Sequence, residues 1–263
     1  MVWQTLRVEA SRGWVRIALH RPDHLNSVSR VMRDELIACF EDLAQRKDLR
    51  VVLLTASGKA FCTGQDLNER YRAEDTPAPD LGEALDQGFN RLVRLIRALP
   101  QPVICGINGV AAGAGANLAL ACDVVIAARS ARFIQSFSRV GLMPDSGGSW
   151  WLPHRVGHAR AAGLALLADP ISAETAAAWG LIWRCVADEE LQDECERTIE
   201  TLMQRAPLAL AAIKTALQAS GSNSLDAQLD LERDLQQRLG KSQDYREGVA
   251  AFMEKRNPNF EGK

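Results

Sequence analysis

The chain reads Gly109-Val110-Ala111-Ala112-Gly113-Ala114-Gly115-Ala116-Asn117 between two short apolar runs, Val103–Ile107 and Val124–Ala127. Apolar runs of this length are typical of strands that are buried on both faces of a parallel sheet. Residues 117–121 favour a helix, and the glycines just before them permit a tight turn. The stretch therefore predicts a strand, a glycine-rich turn, a helix and another strand, which together indicate an α/β fold.

The glycine-rich turn would place its backbone N–H groups at the start of that helix. Four N–H groups at a helix start lack partners within the helix, and they favour a developing negative charge. A second stretch, Pro144-Asp145-Ser146-Gly147-Gly148, carries one carboxylate in a turn and offers a candidate proton carrier. A candidate oxyanion site together with a single carboxylate indicates enolate chemistry.

The composition excludes several classes of protein. The 263 residues have a formal net charge of -2, so electrostatics give no reason to expect nucleic acid or an anionic membrane as a partner. No apolar run approaches the roughly 20 residues that span a bilayer, and the first residues lack the pattern of a signal peptide. The six cysteines form no C-x-x-C pair. We therefore expect reduced, buried thiols and a cytoplasmic protein.

Strand and helix patterns alternate along the first part of the chain, and only helical patterns follow. The predicted strands are 7–10, 13–20, 51–55, 103–107 and 124–127, and helices are predicted to begin at Ser29 and Glu83. We expect an α/β core in residues 1–188 that holds the site. Residues 189–263 are expected to form a helical region that packs on the core or on another subunit. The segment Tyr71–Gly82 is either a mobile loop over the site or a plain surface insertion.

Two better-known glycine motifs fit poorly. Leu118 occupies the position of the third glycine of a dinucleotide-binding G-x-G-x-x-G motif, and no G-K-[ST] follows. The Asp145–Gly148 stretch is superficially similar to the nucleophile turn of trypsin-like proteases. That fold is all-β and needs a histidine base, and no histidine here has a triad context.

Other polar and aromatic residues have simpler interpretations. His154 and His158 are spaced to share a helix face, but no third ligand is near them in the sequence, which favours a solvated face over a zinc site. Trp150 and Trp151 either line an acyl pocket or belong to the core. Asp123 is expected to orient backbone before a strand and has no predicted catalytic role.

Four motifs occur in order along essentially the whole chain. They are His20-Arg21-Pro22 with Leu25-Asn26, Ala60-Phe61-Cys62-Thr63-Gly64-Gln65-Asp66-Leu67, Asn108-Gly109 with Ala112-Gly113-Ala114-Gly115, and Pro144-Asp145 with Gly147-Gly148. This ordered set resembles the enoyl-CoA hydratase/isomerase (crotonase) family. The resemblance implies a spiral of ββα units, followed by helices that build a homotrimer or hexamer. It also implies an acyl-CoA substrate, with no metal and no cofactor beyond the CoA that the substrate carries.

The same resemblance implies roles for individual residues. Gln65 and Ala114 would supply the two N–H groups of an oxyanion hole, and Asp145 would be the catalytic acid or base. A closing Phe252-Met253-Glu254-Lys255-Arg256 stretch is similar to a CoA-contacting F-x-x-K-R stretch of the family. The residues expected to contact the substrate or its CoA are Leu25, Ala60, Cys62, Gly64, Gln65, Asp66, Leu67, Gly113, Asn117, Phe137, Val140, Phe252 and Lys255.

Two departures from the family pattern bear on the reaction. Hydratases of the family have glutamates where Asn117 and Phe137 stand, and hydration needs one group to position water and another to move protons. A single base, Asp145, suits isomerisation instead. Stretches 141–150, 179–183, 229–234 and 244–249 resemble members that isomerise a CoA-bound ring epoxide. The alternatives are a Δ3,Δ2-enoyl-CoA isomerase of fatty-acid oxidation and a non-catalytic CoA-binding scaffold.

Overall fold

The structure is a computed structural model that describes residues 2–69 and 80–263. Within those residues the strands are β1 (Leu6–Ser11), β2 (Trp14–Leu19), β3 (Val51–Ala56), β4 (Ala60–Cys62), β5 (Val103–Ile107), β6 (Val110–Ala112), β7 (Val124–Ala128), β8 (Arg132–Ile134), β9 (Ile171–Ser172) and β10 (Arg184–Val186). The α-helices are α1 (Arg30–Gln45), α2 (Leu81–Leu85), α3 (Arg91–Ala98), α4 (Ala114–Ala121), α5 (Gly148–Leu167), α6 (Ala173–Ala178), α7 (Leu191–Met203), α8 (Pro207–Ala219), α9 (Leu225–Leu239) and α10 (Gln243–Glu254). Short 3-10 helices occupy Pro22–His24, Leu67–Glu69, Ser136–Val140 and Asp188–Glu190.

The strands form two sheets, and strands β3 to β8 alternate between them. The larger sheet has the order β1-β2-β3-β5-β7-β10, and the smaller has the order β4-β6-β8-β9. Pairing is parallel except between β1 and β2 and between β8 and β9. Each of the pairs β3–β4, β5–β6 and β7–β8 puts its first strand in the larger sheet and its second in the smaller, and a helix follows later in the chain. The expected α/β class and the ββα spiral are therefore confirmed.

The first helix after the spiral covers one face of the larger sheet. Leu191, Cys195 and Ile199 of α7 pack with buried sheet residues that include Leu53 and Ile126. The hydrophobic effect of burying these side chains holds α7 on the sheet. The helical content after residue 189 is as predicted, but α7 belongs to the core layer. The domain division between residues 188 and 189 stays a prediction.

Local sequence signals located most elements. Ser29 caps α1, and its hydroxyl accepts a hydrogen bond from the Met32 N–H at 3.2 Å. The helix predicted from Glu83 contains a π-helical turn, Asp86–Asn90, between α2 and α3. The expectation that His154 and His158 share a helix face is wrong, because Gly157 between them has a non-helical backbone. Of the predicted loop Tyr71–Gly82, residues up to 79 lie outside the described residues, and Gly82 belongs to α2.

All six cysteines are free thiols, and all except the half-buried Cys185 are buried. Burial is the largest cause that raises the pKa of Cys39, Cys62 and Cys195 to about 12, because it disfavours the thiolate. In the described parts of the chain, no helix combines the length and the apolar character needed to cross a membrane.

Candidate active site

Two turns meet where adjacent strands of the smaller sheet end. Strands β4 and β6 are parallel neighbours, so the loop after β4 lies beside the turn that leads from β6 into α4. Gly64 in the first loop has a φ of +90°, and a Cβ built on it would lie 3.0 Å from Ala112 O and 3.4 Å from Ala114 N. Glycine is therefore needed both for this backbone conformation and for the close approach. Gly64, which precedes Gln65, thus packs against Ala114, the first residue of α4.

The N–H groups of Gln65 and Ala114 stand at this meeting point. The Val28 N–H donates to Gly64 O at 2.7 Å and the Asp66 N–H donates to Val28 O at 3.0 Å, so this bridge does not use the Gln65 N–H. Ala114 begins α4, where an N–H has no acceptor within the helix. Within residues 2–69 and 80–263, neither N–H donates to a protein acceptor. The structure thus brings Gly64, next to Gln65, against Ala114, and neither of the two predicted oxyanion donors has a protein acceptor in the described ranges.

The start of α4 rests directly on the end of β4. A Cβ on Gly115 would lie 2.5 Å from Cys62 O and 2.6 Å from Cys62 Sγ, so no larger residue fits. Cys62 and Ala60 are both buried. Their contribution to CoA binding stays a prediction.

An ion pair fixes the loop that carries Gln65. Arg21 Nη1 lies 2.9 Å from Asp66 Oδ2 and donates to Ser27 O at 2.6 Å. Burial by itself would raise the pKa of Asp66, but the hydrogen bonds from Arg21 and Asn68 outweigh it and hold the pKa below its ordinary value. Asp66 is therefore a carboxylate committed to shaping the loop, which makes it a poor proton acceptor.

Asn26 supports the same loop from below. Its Nδ2 donates to Ser57 O and to Ala60 O, both at 2.8 Å, and its Oδ1 accepts from the Arg21 N–H at 2.8 Å. The residue is fully buried and has a φ of +54°, a backbone conformation that asparagine tolerates better than most residues. The motif had singled out Asn26 without a role, and its tolerance of this conformation is the signal that could have suggested a structural one.

Asp145 lies on a turn that several hydrogen bonds hold in place. The Asp145 carbonyl accepts from Asn117 Nδ2 at 2.9 Å and from the Gly148 N–H at 2.8 Å. Ser146 Oγ donates to Asp145 Oδ1 at 2.8 Å, and Trp151 Nε1 donates to Ser146 O at 3.1 Å. These bonds fix the turn and so restrain the position of Asp145, the predicted proton carrier. The sequence had not indicated Trp151 as part of the support.

Asn117 lies beneath this turn, on α4, and has no exposed surface. Its Oδ1 accepts from Gln135 Nε2 at 2.9 Å while its Nδ2 donates to Asp145 O. Both ends of the side-chain amide are thus bonded to protein groups. Whether Asn117 also contacts the substrate, as the resemblance implies, stays a prediction.

Aromatic side chains flank the candidate site. Phe137 is buried, and a Cβ on Gly113 would lie 3.8 Å from its Cζ, so its ring is close to the turn before α4. Trp151 is a core residue, whereas Trp150 is partly exposed and stacks on His154 with 4.1 Å between ring centroids. Trp151 therefore belongs to the core, and whether the exposed Trp150 lines an acyl pocket stays a prediction.

The remaining predicted CoA contacts lie on exposed surfaces. Leu25, Leu67 and Val140 are exposed. Phe252 is 82% exposed on α10, and Lys255 ends that helix with a φ of +55°. Whether these five residues bind CoA stays a prediction.

Asp123 orients backbone, as predicted. Its Oδ2 accepts from the Val103 N–H at 2.8 Å and lies 2.7 Å from Lys214 Nζ on α8. Lys214 is buried, and burial lowers the pKa of its ammonium although Asp123 opposes the shift. No sequence signal had pointed to this lysine. In the described ranges, no three His, Cys, Asp or Glu side chains are grouped so that they could hold a metal ion.

The chain resembles known proteins over almost its whole length. A family model described as enoyl-CoA hydratase/isomerase matches residues 9–263. The chain is 50% identical to the 1,2-epoxyphenylacetyl-CoA isomerase of Escherichia coli K12, over 96% of each protein. It is 48% identical to a probable enoyl-CoA hydratase of Rhodobacter capsulatus, over 100% of each. The solved enoyl-CoA hydratase of Bacillus anthracis superposes with a TM-score of 0.93 at 32% identity, covering 99% of this chain and 100% of that one.

Proposed function

This chain is an enzyme of the enoyl-CoA hydratase/isomerase family, and we propose that it isomerises an acyl-CoA through a thioester enolate. One observation carries the proposal. Asn117 of α4 donates a hydrogen bond to the Asp145 carbonyl, so the Asp145 turn is held against this helix. The first N–H of the same helix, that of Ala114, is one of the two proposed oxyanion donors, and the Gln65 N–H is the other. Asn117 and Phe137, at the positions of the hydratase glutamates, provide no second carboxylate. One base beside an oxyanion hole suits the movement of a proton within a substrate.

The substrate that we propose is 1,2-epoxyphenylacetyl-CoA, which would be converted to the oxepin-CoA in phenylacetate degradation. The 50% identity to the Escherichia coli isomerase of that substrate supports this choice. The buried ring of Phe137 beside the turn before α4 supports it as well, since an aromatic wall suits an aromatic acyl group.

In the proposed reaction, the thioester oxygen accepts hydrogen bonds from the Gln65 and Ala114 N–H groups. These bonds stabilise the negative charge that develops on the oxygen as Asp145 removes the α-proton. The electron pair moves towards the ring, the bond between the two epoxide carbons breaks, and the proton returns to a ring carbon. No atom is gained or lost and no net oxidation occurs, so the proposed chemistry needs no cofactor besides the CoA of the substrate.

The carboxylates of Asp66 and Asp123 are each held in an ion pair. Asp66 pairs with Arg21 and accepts from the Asn68 N–H, and Asp123 pairs with the buried Lys214. Protonating either one would break a partly buried ion pair, which is strongly destabilising. Asp66 and Asp123 thus have structural tasks in loop and backbone positioning.

The test is Asp145→Asn, which keeps the size of the side chain but cannot accept a proton from carbon. We expect a rate loss of at least about a hundred-fold, with CoA-ester affinity within a few-fold of the wild type. Exchange of the α-proton of an acyl-CoA in D2O measures the step directly, and affinity for the same ester serves as the control for folding. Exchange at close to the wild-type rate in the variant would refute the proposal.

A second candidate substrate needs the same residues. A Δ3,Δ2-enoyl-CoA isomerase would also use one base and two N–H donors. Turnover of the ring epoxide compared with turnover of a straight-chain 3-enoyl-CoA distinguishes the two. A non-catalytic CoA-binding scaffold would exchange no α-proton with either ester.

We also propose that the protein works as a homotrimer or as a hexamer built from two trimers, in the cytoplasm. Apolar side chains on the last helices are exposed in the single chain, among them Leu217, Leu225, Phe252 and Met253. Contiguous exposed apolar surface marks an interface, and we expect these side chains to contribute to such a surface. Sedimentation of a stable monomer at micromolar concentration would contradict the proposed assembly.

A further inference from the structure

We propose that Asn117 is a positioning residue for Asp145, and that Gln135 orients the Asn117 amide for this task. The proposal rests on the proposed function, in which Asp145 is the base. Its basis is a directional chain of two hydrogen bonds. Gln135 Nε2 donates to Asn117 Oδ1 at 2.9 Å, and Asn117 Nδ2 donates to the Asp145 carbonyl at 2.9 Å.

The Asp145 carbonyl determines the direction of this chain. A carbonyl oxygen only accepts, so Asn117 must turn its NH2 group towards Asp145 and its oxygen towards Gln135. Gln135 must then present its own NH2 group, because its oxygen would face the oxygen of Asn117. Each amide orientation thus follows from the one before it.

Gln135 holds this orientation at a cost. Its Oε1 is buried and finds no partner in the described part of the chain. A buried acceptor without a hydrogen bond destabilises the folded protein. An apolar side chain at this position would avoid that loss of stability. The hydrogen bond that Gln135 donates to Asn117 is therefore the contact that explains a glutamine at this position.

The packing around Asn117 leaves its amide little freedom. A Cβ on Gly148 would overlap the amide, with Asn117 Cγ at only 2.7 Å. The Gly148 N–H donates to the same Asp145 carbonyl, so that oxygen is held by two donors. Asn117 also lies one helical turn after Ala114 on α4, and its N–H donates to Gly113 O. The amide therefore ties the turn of the base to the helix that carries one oxyanion donor.

A double-mutant cycle tests whether Asn117 acts through Asp145. The probe is phenylacetyl-CoA, and the readout is kcat and KM for exchange of its α-protons in D2O. We expect Asn117→Ala to lower kcat about ten-fold while KM changes less than about three-fold, because positioning is lost and CoA contacts are not. In the Asp145→Asn background the same substitution should cost nothing further, since there is no base left to position.

A second variant tests the orienting bond and avoids a cavity beneath the turn. Gln135→Leu removes the donor to Asn117 together with the unpartnered oxygen, and it should lower kcat about three-fold or more with KM unchanged. In the Asn117→Ala background it should cost nothing more. Gln101→Leu is the matched control, because Gln101 also donates one bond to a carbonyl, that of Leu49, and also has an unpartnered Oε1. Its kcat should equal that of the wild type.

The outcomes separate this proposal from the one on which it rests. If Asn117→Ala and Asp145→Asn lower the rate multiplicatively, or if Gln135→Leu leaves kcat unchanged, the positioning role is wrong while Asp145 can remain the base. If Asp145→Asn alone exchanges at the wild-type rate, the proposed function fails and the positioning role fails with it. If Asn117→Ala does not fold, Gln135→Leu and its control decide the matter.

Discussion

Adding one methyl group at Gly64 should disable the enzyme with little effect on its fold. The Cβ of a Gly64→Ala variant would lie 3.0 Å from Ala112 O and 3.4 Å from Ala114 N. Relief of such contacts requires a movement of a few tenths of an ångström. The loop would carry the adjacent Gln65 N–H with it, and a donor to an oxyanion must stay within about 2.7–3.1 Å of the oxygen.

The size of the effect follows from the loss of one donor. Removal of an oxyanion donor costs about a hundred- to thousand-fold in kcat, or about 3–4 kcal/mol of transition-state stabilisation. The φ of +90° adds a separate penalty, which destabilises the folded protein by about 1–2 kcal/mol when an L side chain is present. The second effect appears in thermal unfolding, and the first appears only in the rate.

Gly180→Ala separates these two effects. Gly180 has a φ of +77°, but a Cβ there would meet its nearest neighbouring atom at an ordinary 3.6 Å. We expect similar losses of stability in both variants and a large loss of kcat for α-proton exchange in Gly64→Ala alone. If the two variants exchange at the same rate, the contact between Gly64 and the start of α4 does not build an oxyanion hole.

Three further predictions concern other parts of the molecule. Ala114→Pro deletes the second donor at the first position of α4, where proline is compatible with a helix. Exchange of the α-proton should therefore fall about a hundred- to thousand-fold while the circular dichroism spectrum stays unchanged. An active, folded variant would place the oxyanion hole elsewhere. Lys214→Met breaks the buried ion pair with Asp123 and should destabilise the protein by about 3 kcal/mol, which a thermal melt would show as a fall in Tm of roughly 6–12 °C. An unchanged Tm would show that the ion pair makes no net contribution to stability. Hydrogen bonds from Arg256 and from the Asn259 N–H lower the pKa of Glu247 from 4.5 to about 2, so their stabilising effect is complete above about pH 4.5 and is lost as the pH falls towards 2. Urea unfolding of Glu247→Gln should therefore depend less on pH in that range than unfolding of the wild type, and equal slopes would contradict the assignment.

Much of the fold could be predicted from local patterns in the sequence. Buried strands such as Val51–Ala56 and Val103–Ile107 appear as continuous apolar runs, because a parallel strand covered on both faces needs apolar side chains throughout. Ser29 marked the start of α1, since a helix start needs a side-chain acceptor for its free N–H groups. The glycines of the 109–117 stretch indicated a close backbone approach before any partner was known. These features depend on neighbours in the chain, which a sequence displays directly.

The partners of the buried polar groups were decided by the tertiary structure alone. Lys214 meets Asp123 across 91 positions of sequence, and Asn117 joins Gln135 and Asp145, which lie 18 and 28 residues further on. The resemblance of the sequence to the family aligned Asn117 with a hydratase glutamate, but it could not show which groups the Asn117 amide would bond. A buried amide must satisfy its donors and acceptors with whatever the packed strands and helices bring within 3 Å, and the sheet order and register determine which groups those are.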